Sequence, residues 1–339
     1  MADLFGLSLL AIMAIVLTWG FDFVNGFHDS ANSIATIVAT KVLTPVQAVT
    51  MAAVANFLGF VLLGSAVAAM IQTGIINQNL VTSPFGLELV LSALLGAIAW
   101  DLITWWLGIP TSSSHALVGG LLGAGGAAMG LDAVNWGGVE KVVTFIIASP
   151  VLGMIIGFLI VALVIKFMRK TSRTNANRWF RHLQIVSSFF YSITHGANDA
   201  QKGMGIIMLI LAASGAALAT DQAFLWVAIS CYAALALGTF FGGWRIVKTM
   251  ASRITKLEPY QGFSAETGAA ALLAATAHFG IPVSTTHTIA GSIMGVGAAK
   301  GLSAVRWGIG RRIVVAWILT IPAAATISGA IFCSYLNLL

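Results

Sequence analysis

Charge is what this sequence lacks. Its 339 residues include 17 Lys and Arg and 11 Asp and Glu, so that 8% are charged, against about 25% in an ordinary soluble domain. With 58% hydrophobic residues and apolar runs throughout, that scarcity excludes a soluble enzyme and asks for a bilayer as solvent, in which each span needs about 20 apolar residues. Cysteine is nearly absent too. Cys231 and Cys333 lie in apolar segments without metal-ligand spacing, and they read as small core residues. The first twenty residues hold no Lys or Arg and end without an A-x-A-like site, so no cleaved signal peptide is expected and the first apolar run should stay as a span. There is no H-E-x-x-H, no G-x-S-x-G and no repeated Cys/His ligand set, which removes the usual hydrolase and metalloprotease signals. The net charge of +6 comes from basic residues scattered singly or in short loops, where membrane orientation explains them and nucleic acid is not the expected partner.

What is present is self-similar. G-F-H-D at Gly26 to Asp29 returns as G-A-N-D at Gly196 to Asp199, an offset of 170. I-P-T-S-S-S-H at Ile109 to His115 returns as I-P-V-S-T-T-H at Ile281 to His287, an offset of 172. Trp136-Gly137 recurs as Trp307-Gly308, and Pro150 as Pro322, at 171 and 172. An offset of half the chain length points to a duplication: a first repeat over 1–166, a basic linker over 167–182 and a second repeat over 183–339. Apolar segments fall at about 7–40, 46–70, 86–107, 110–129 and 141–166, then 183–212, 222–243, 262–280, 282–299 and 311–336. Five per half is an odd number, so the second copy starts on the opposite side of the membrane and the repeat is inverted. The fold expected is therefore an all-α polytopic membrane protein of about ten membrane segments, in two inverted-topology repeats.

The charges carry the same reading. The joint holds Lys166, Arg169, Lys170, Arg173, Arg178 and Arg181, which makes it cytoplasmic by the positive-inside rule. Counting outward, the loops near 41–45, 244–258 and 300–312 are also inside, and with the joint they hold all basic residues except Lys141 and Lys202. The loops near 71–85, 130–140 and 213–221 and both termini, expected outside, hold none.

Each copy opens with an apolar helix interrupted by a polar knot, Asn25 to Asn32 and His195 to Lys202. An Asp near the middle of a span costs about 2.5–3.5 kcal/mol on insertion scales, so such residues face a bundle interior or wet cavity and read as functional, with an inter-helical hydrogen-bond clamp as the plainer alternative. Each copy also carries a Pro, a hydroxyl cluster and a His: Pro110 to His115 and Pro282 to His287. Proline suits the first turn of a new helix and Ser or Thr caps it, so each motif marks a broken helix or re-entrant hairpin. Its N-terminus offers backbone N–H groups, partial positive charge and hydroxyl donors that suit an anion, although an ordinary N-cap at a loop has the same pattern.

These paired motifs, in an inverted repeat with a basic central loop, resemble the inorganic phosphate transporter (PiT) family over nearly the whole chain. The resemblance implies cation-coupled import of inorganic phosphate by alternating access in the plasma (inner) membrane, and a homodimer. Carried over by motif, Ser112, Ser113, Ser114, Ser284, Thr285 and Thr286 would hold phosphate. Asp29, Asn32, Asn198 and Asp199 would line the cation sites, with a transient sodium or divalent ion near Asp29 and Asp199. Two positions depart from the G-A-N-D-x-x-N pattern: His28 replaces the first Asn, and Lys202 stands where the second copy's last Asn would be. Both resemble the bacterial low-affinity branch, which favours proton over sodium coupling and carries phosphate with or without a divalent metal. Lys202 brings its own positive charge and repels a metal cation, and His28 beside Asp29 titrates near neutral pH; a structural ion pair is the other reading of Lys202.

Asp101 and Glu266 lie in the segments leading into the hydroxyl loops, and with His115 and His287 they are candidates for a supporting role around the site. His278 is assigned to packing, and tryptophans such as Trp19, Trp105, Trp106, Trp179 and Trp244 to interfacial belts. No cofactor is expected beyond the coupling ion. Two rival readings stay open: a sulfate or other tetrahedral oxyanion symporter, and, in a different class, an anion channel, since broken helices also build pores.

Overall fold

The computed structural model describes residues 7–61, 64–215, 221–281 and 283–337. Among them are thirteen α-helices and no strand, only an isolated bridge between Ile76 and Val134. The helices are α1 (Leu9–Ala39), α2 (Pro45–Leu58), α3 (Ala66–Thr73), α4 (Gln78–Val81), α5 (Gly86–Leu107), α6 (Ser113–Met129), α7 (Trp136–Phe167), α8 (Arg173–Ala213), α9 (Asp221–Phe241), α10 (Trp244–Ser252), α11 (Pro259–His278), α12 (Thr285–Ala298) and α13 (Trp307–Leu336). Each apolar segment expected from the sequence lands on a helix, with 46–70 divided between α2 and α3. Among the described residues, six helices are long and apolar enough to cross a membrane, up to seven if α2 and α3 are one span. The ten expected segments exceed that number for physical reasons. α8 carries Asp199 and Lys202 in mid-helix, and α12, at 14 residues, is shorter than a span; about 20 residues are needed.

Two helices organise the interior. α1 carries Thr18, Asp22, Asn25, Asp29, Asn32 and Thr36 at alternating spacings of four and three, which puts them on one face. α8 repeats the pattern with Ser188, Ser192, His195, Asp199 and Lys202, and every one of these side chains is buried. The outside of the bundle is the reverse. Ile147, Leu159, Ile318 and Leu319 on α7 and α13 are more than half exposed or nearly so, as lipid-facing side chains are. Cys231 is buried as expected, whereas Cys333 lies on this exposed apolar surface and not in the core. Trp179, Trp106 and Trp244 are exposed; Trp317 is not, and is packed into the centre.

Packing is swapped between the halves. α1 lies against α9 and α2 against α8; α6 lies against α13 and α12 against α7. Glycines permit these contacts, since lipid supplies no hydrophobic drive between helices and close backbone approach must do the work. A Cβ at Gly26 would fall 2.0 Å from the Leu235 carbonyl oxygen, and one at Gly196 would fall 2.3 Å from that of Asn56. Replacing Gly196 with Val should therefore destabilise the bundle by about 1–3 kcal/mol or more through overpacking. The expected readout is a lower thermal midpoint in detergent or loss of the monodisperse protein, and an unchanged midpoint would contradict the close contact.

Candidate functional site

The two hydroxyl motifs are loops between paired helices. α5 ends at Leu107, and Gly108 adopts φ 66°, a left-handed conformation that glycine favours and that turns the chain back. Ser112 then caps α6, its Oγ accepting the His115 amide at 3.3 Å. In the second half Gly280 has φ 64° after α11, and Ser284 Oγ accepts the His287 amide at 3.1 Å; Pro282 lies outside the described residues. Each break thus starts a helix whose first turn carries hydroxyls. The Ser112 and Ser284 oxygens act as caps, which occupies their acceptor side and leaves each O–H to donate.

The loops meet in the middle of the protein. The rings of His115 and His287 pack edge to face with centroids 4.8 Å apart. His287 stacks on Trp317, whose indole donates to the Pro110 carbonyl at 3.0 Å. The second loop is tied to the first polar knot, because Asn32 Nδ2 donates to Thr286 Oγ1 at 2.9 Å and lies 3.4 Å from Thr285 Oγ1. Thr286 in turn reaches Asp29 Oδ1 at 3.5 Å. On the other side of Asp29, His28 Nδ1 lies 2.7 Å from Oδ1, and His28 Nε2 faces Thr104 at 3.2 Å and Thr111 at 3.4 Å. Asp29 therefore sits between the histidine of its own knot and the hydroxyl loop of the other half.

The second knot is assembled differently. Asp199 has Lys202 Nζ at 3.1 Å and His195 Nε2 at 3.3 Å, all three on one face of α8. Lys202 also reaches across to Asn25 Oδ1 at 3.4 Å on α1. Asn198 does not point to this group: its amide donates to the Thr194 and Leu273 carbonyls, and its Oδ1 has no partner. Ligand atoms of Asp29, His195 and Asp199 lie within 4.8 Å of one another, so the carboxylates of both knots share one small volume. Two carboxylates and an imidazole are a donor set that fits a cation, yet the ammonium of Lys202 already stands against Asp199 as a built-in positive charge.

The remaining candidates separate. Asp101 is fully buried, faces His28 and Ser113, and neither of its oxygens has a hydrogen-bond partner. Ser113 Oγ, Asn32 Oδ1 and both ring nitrogens of His115 are likewise buried and unpartnered. Orphaned polar atoms are rare in native interiors and mark places where a ligand or water satisfies them. Ser114 is buried with them. Glu266 belongs elsewhere: it accepts from Thr36 at 2.6 Å, Gln184 at 3.1 Å and Ser187, two turns along α1 from Asp29, and is fully satisfied there. Sequence reading passed over Thr104 and Asp22, and it took in Thr111, Asn25 and His195 only as members of their motifs, with no task of their own. The four-and-three spacing of the α1 and α8 stripes was the available signal for Asp22, Asn25 and His195.

Comparison with known proteins agrees with this geometry. Residues 25–328 match the phosphate transporter family model. The chain is 51% identical over 320 residues to the probable low-affinity inorganic phosphate transporter of Rhizobium meliloti (strain 1021), covering 94% of each chain. It is 42% identical to the protein of the same description in Bacillus subtilis (strain 168), covering 98% of this chain and 99% of that one. A solved structure, "The sodium-dependent phosphate transporter", superposes with a TM-score of 0.86 at 28% identity and covers 98% of this chain and 100% of its own. With its buried hydroxyl loops and paired carboxylates set in a bundle of membrane helices, the chain belongs to the phosphate transporter family.

Proposed function

We propose that this chain is a symporter that imports inorganic phosphate across the plasma (inner) membrane, with a proton as the favoured coupling ion. The observation that carries the reading is the convergence of two hydroxyl-bearing helix starts, one from each half, beside Asp29 and Asp199. Helix N-termini and hydroxyls stabilise an oxyanion without a fixed cation. The two acids next to them give the coupling charge a place to bind, and a divalent ion travelling with phosphate would meet the same carboxylates.

Proton coupling is favoured over sodium by two side chains. Lys202 holds a positive charge against Asp199, so a metal cation entering that half of the site meets repulsion. His28, at 2.7 Å from Asp29, carries an imidazole, the side-chain type whose ordinary pKa lies nearest neutral pH. The swapped pairings of α1 with α9, α8 with α2, α6 with α13 and α12 with α7 support an inverted repeat and thus alternating access by rocking of one half on the other. A homodimer rests on the family resemblance.

Loop contacts support a cytoplasmic joint. Arg181 donates to the Lys41 carbonyl at 3.0 Å, and Lys300 to that of Lys256 at 3.1 Å, so basic loops adjoin basic loops. The loops without basic residues adjoin one another, with the Asn77 amide on the Ala133 carbonyl at 2.8 Å.

Three outcomes are expected. Proteoliposomes accumulate phosphate when a pH gradient is imposed without sodium; accumulation driven by a sodium gradient alone, indifferent to pH, would sink proton coupling, and strong inhibition by equimolar sulfate would favour the sulfate reading. Ser113→Ala or Thr285→Ala weakens phosphate interaction by about 1–3 kcal/mol, read as a raised half-saturating concentration, while Asp29→Asn abolishes coupled uptake with the protein still inserted. In a background with Cys231 and Cys333 replaced by Ser, a membrane-impermeant thiol reagent on intact cells labels Thr82→Cys and leaves Ser172→Cys unlabelled; the reverse pattern would invert the topology.

A further inference from the structure

Asp22 is the one acid of the α1 stripe to which the reading above gives no task. It stands seven residues before Asp29 on the same face, about 10 Å nearer the N-terminal end of α1 at the helical rise of 1.5 Å per residue. It is fully buried, and neither oxygen makes a hydrogen bond of ordinary geometry. Space for it is provided by a bare backbone, since a Cβ on Gly203 of α8 would fall 2.0 Å from Asp22 Oδ2. The titratable groups that face it are Lys202 and Asp199 on α8 and the thiol of Cys231 on α9. The position that matches it in the second half, at the offset of 170, is Ser192, so this acid is peculiar to one half.

The charges around it do not balance. Lys202 is the single ammonium among these groups, and it already lies 3.1 Å from Asp199. Asn25, between Asp22 and Asp29 on the stripe, accepts from that ammonium through Oδ1 and has an unpartnered Nδ2. Asp199 is met by His195 Nε2 at 3.3 Å as well as by Lys202, whereas Asp22 has no ion-pair partner of its own among the described residues. A carboxylate buried without a charge partner is far costlier than the neutral acid, so Asp22 takes up one further cation. With Lys202 occupying the space beside Asp199, the smallest one fits best.

We propose that Asp22 is a proton-binding residue of the transport cycle, loading the coupling proton from the outer side ahead of the Asp29–Asp199 site. The step is a simple transfer: an O–H bond forms on Asp22 from water-borne H⁺ on the outer side and breaks again to water when the inner side opens. One proton enters per cycle, and no other group is oxidised or reduced. The inference deepens the proton-coupled reading and rests on it.

The test uses purified full-length protein in proteoliposomes, comparing wild type, Asp22→Asn and Asp22→Glu in two assays: phosphate accumulation driven by a pH gradient, and phosphate exchange at equal pH. For one coupled proton each pH unit supports about tenfold accumulation. Asp22→Asn is expected to lower the ratio of driven accumulation to exchange by about that factor per pH unit imposed, and Asp22→Glu to restore it. An Asp22→Asn ratio equal to that of wild type overturns the proposal. So does loss of accumulation and exchange together in both Asp22→Asn and Asp22→Glu, which would mark Asp22 as a packing residue. The wild-type arm reports separately on the underlying reading: failure of wild type to respond to the pH gradient defeats proton coupling, whatever the variants do.

Discussion

A charge buried at bilayer depth must find its compensation inside the protein, and the arrangement of this molecule follows from that requirement. Asp29 and Asp199 are buried, so the stripes that bear them turn toward each other, and Lys202, His28 and His195 stand beside them. For α1 and α8 to present those stripes to a common centre, their other faces have to be covered from the opposite half. That is the reason α9 closes on α1 and α2 on α8, at backbone distances only glycine permits. Electrostatic need thus dictates the packing, and the packing depends on small residues.

The first polar knot and the second hydroxyl loop are joined by shared polar contacts. Asn32 belongs to the first knot yet donates to Thr286 of the second hydroxyl loop, and Thr286 extends toward Asp29. His115 and His287 hold the two loops in contact. A shift of either loop therefore moves the surroundings of the carboxylate.

The two halves are similar in outline and different in charge. At the offset of 170, Asn32 is matched by Lys202, His28 by Asn198 and Asp22 by Ser192. In each half a helix starts just after the capping serine of the motif, at Ser113 and at Thr285. The substitutions at matched positions place an ammonium beside Asp199 and an imidazole beside Asp29.

Much of this was legible in the sequence because the bilayer imposes simple rules. Apolar run length gave the helices, and the constant offset brought out the paired motifs. The capping roles of Ser112 and Ser284 followed from the need of a helix start for a side-chain acceptor, as did the membrane character from the scarcity of charge. What the chain alone left open depends on distance. It does not say that Asp29, His195 and Asp199 lie together while Glu266 is held apart by Thr36, Gln184 and Ser187, or that Asn198 turns to backbone carbonyls. Nor does it say that Cys333 faces outward and Trp317 inward. Residue type and spacing specify which face of a helix is polar, but only the packing of one helix on another sets which polar groups meet, and burial charges meet or fail to meet within a few ångströms.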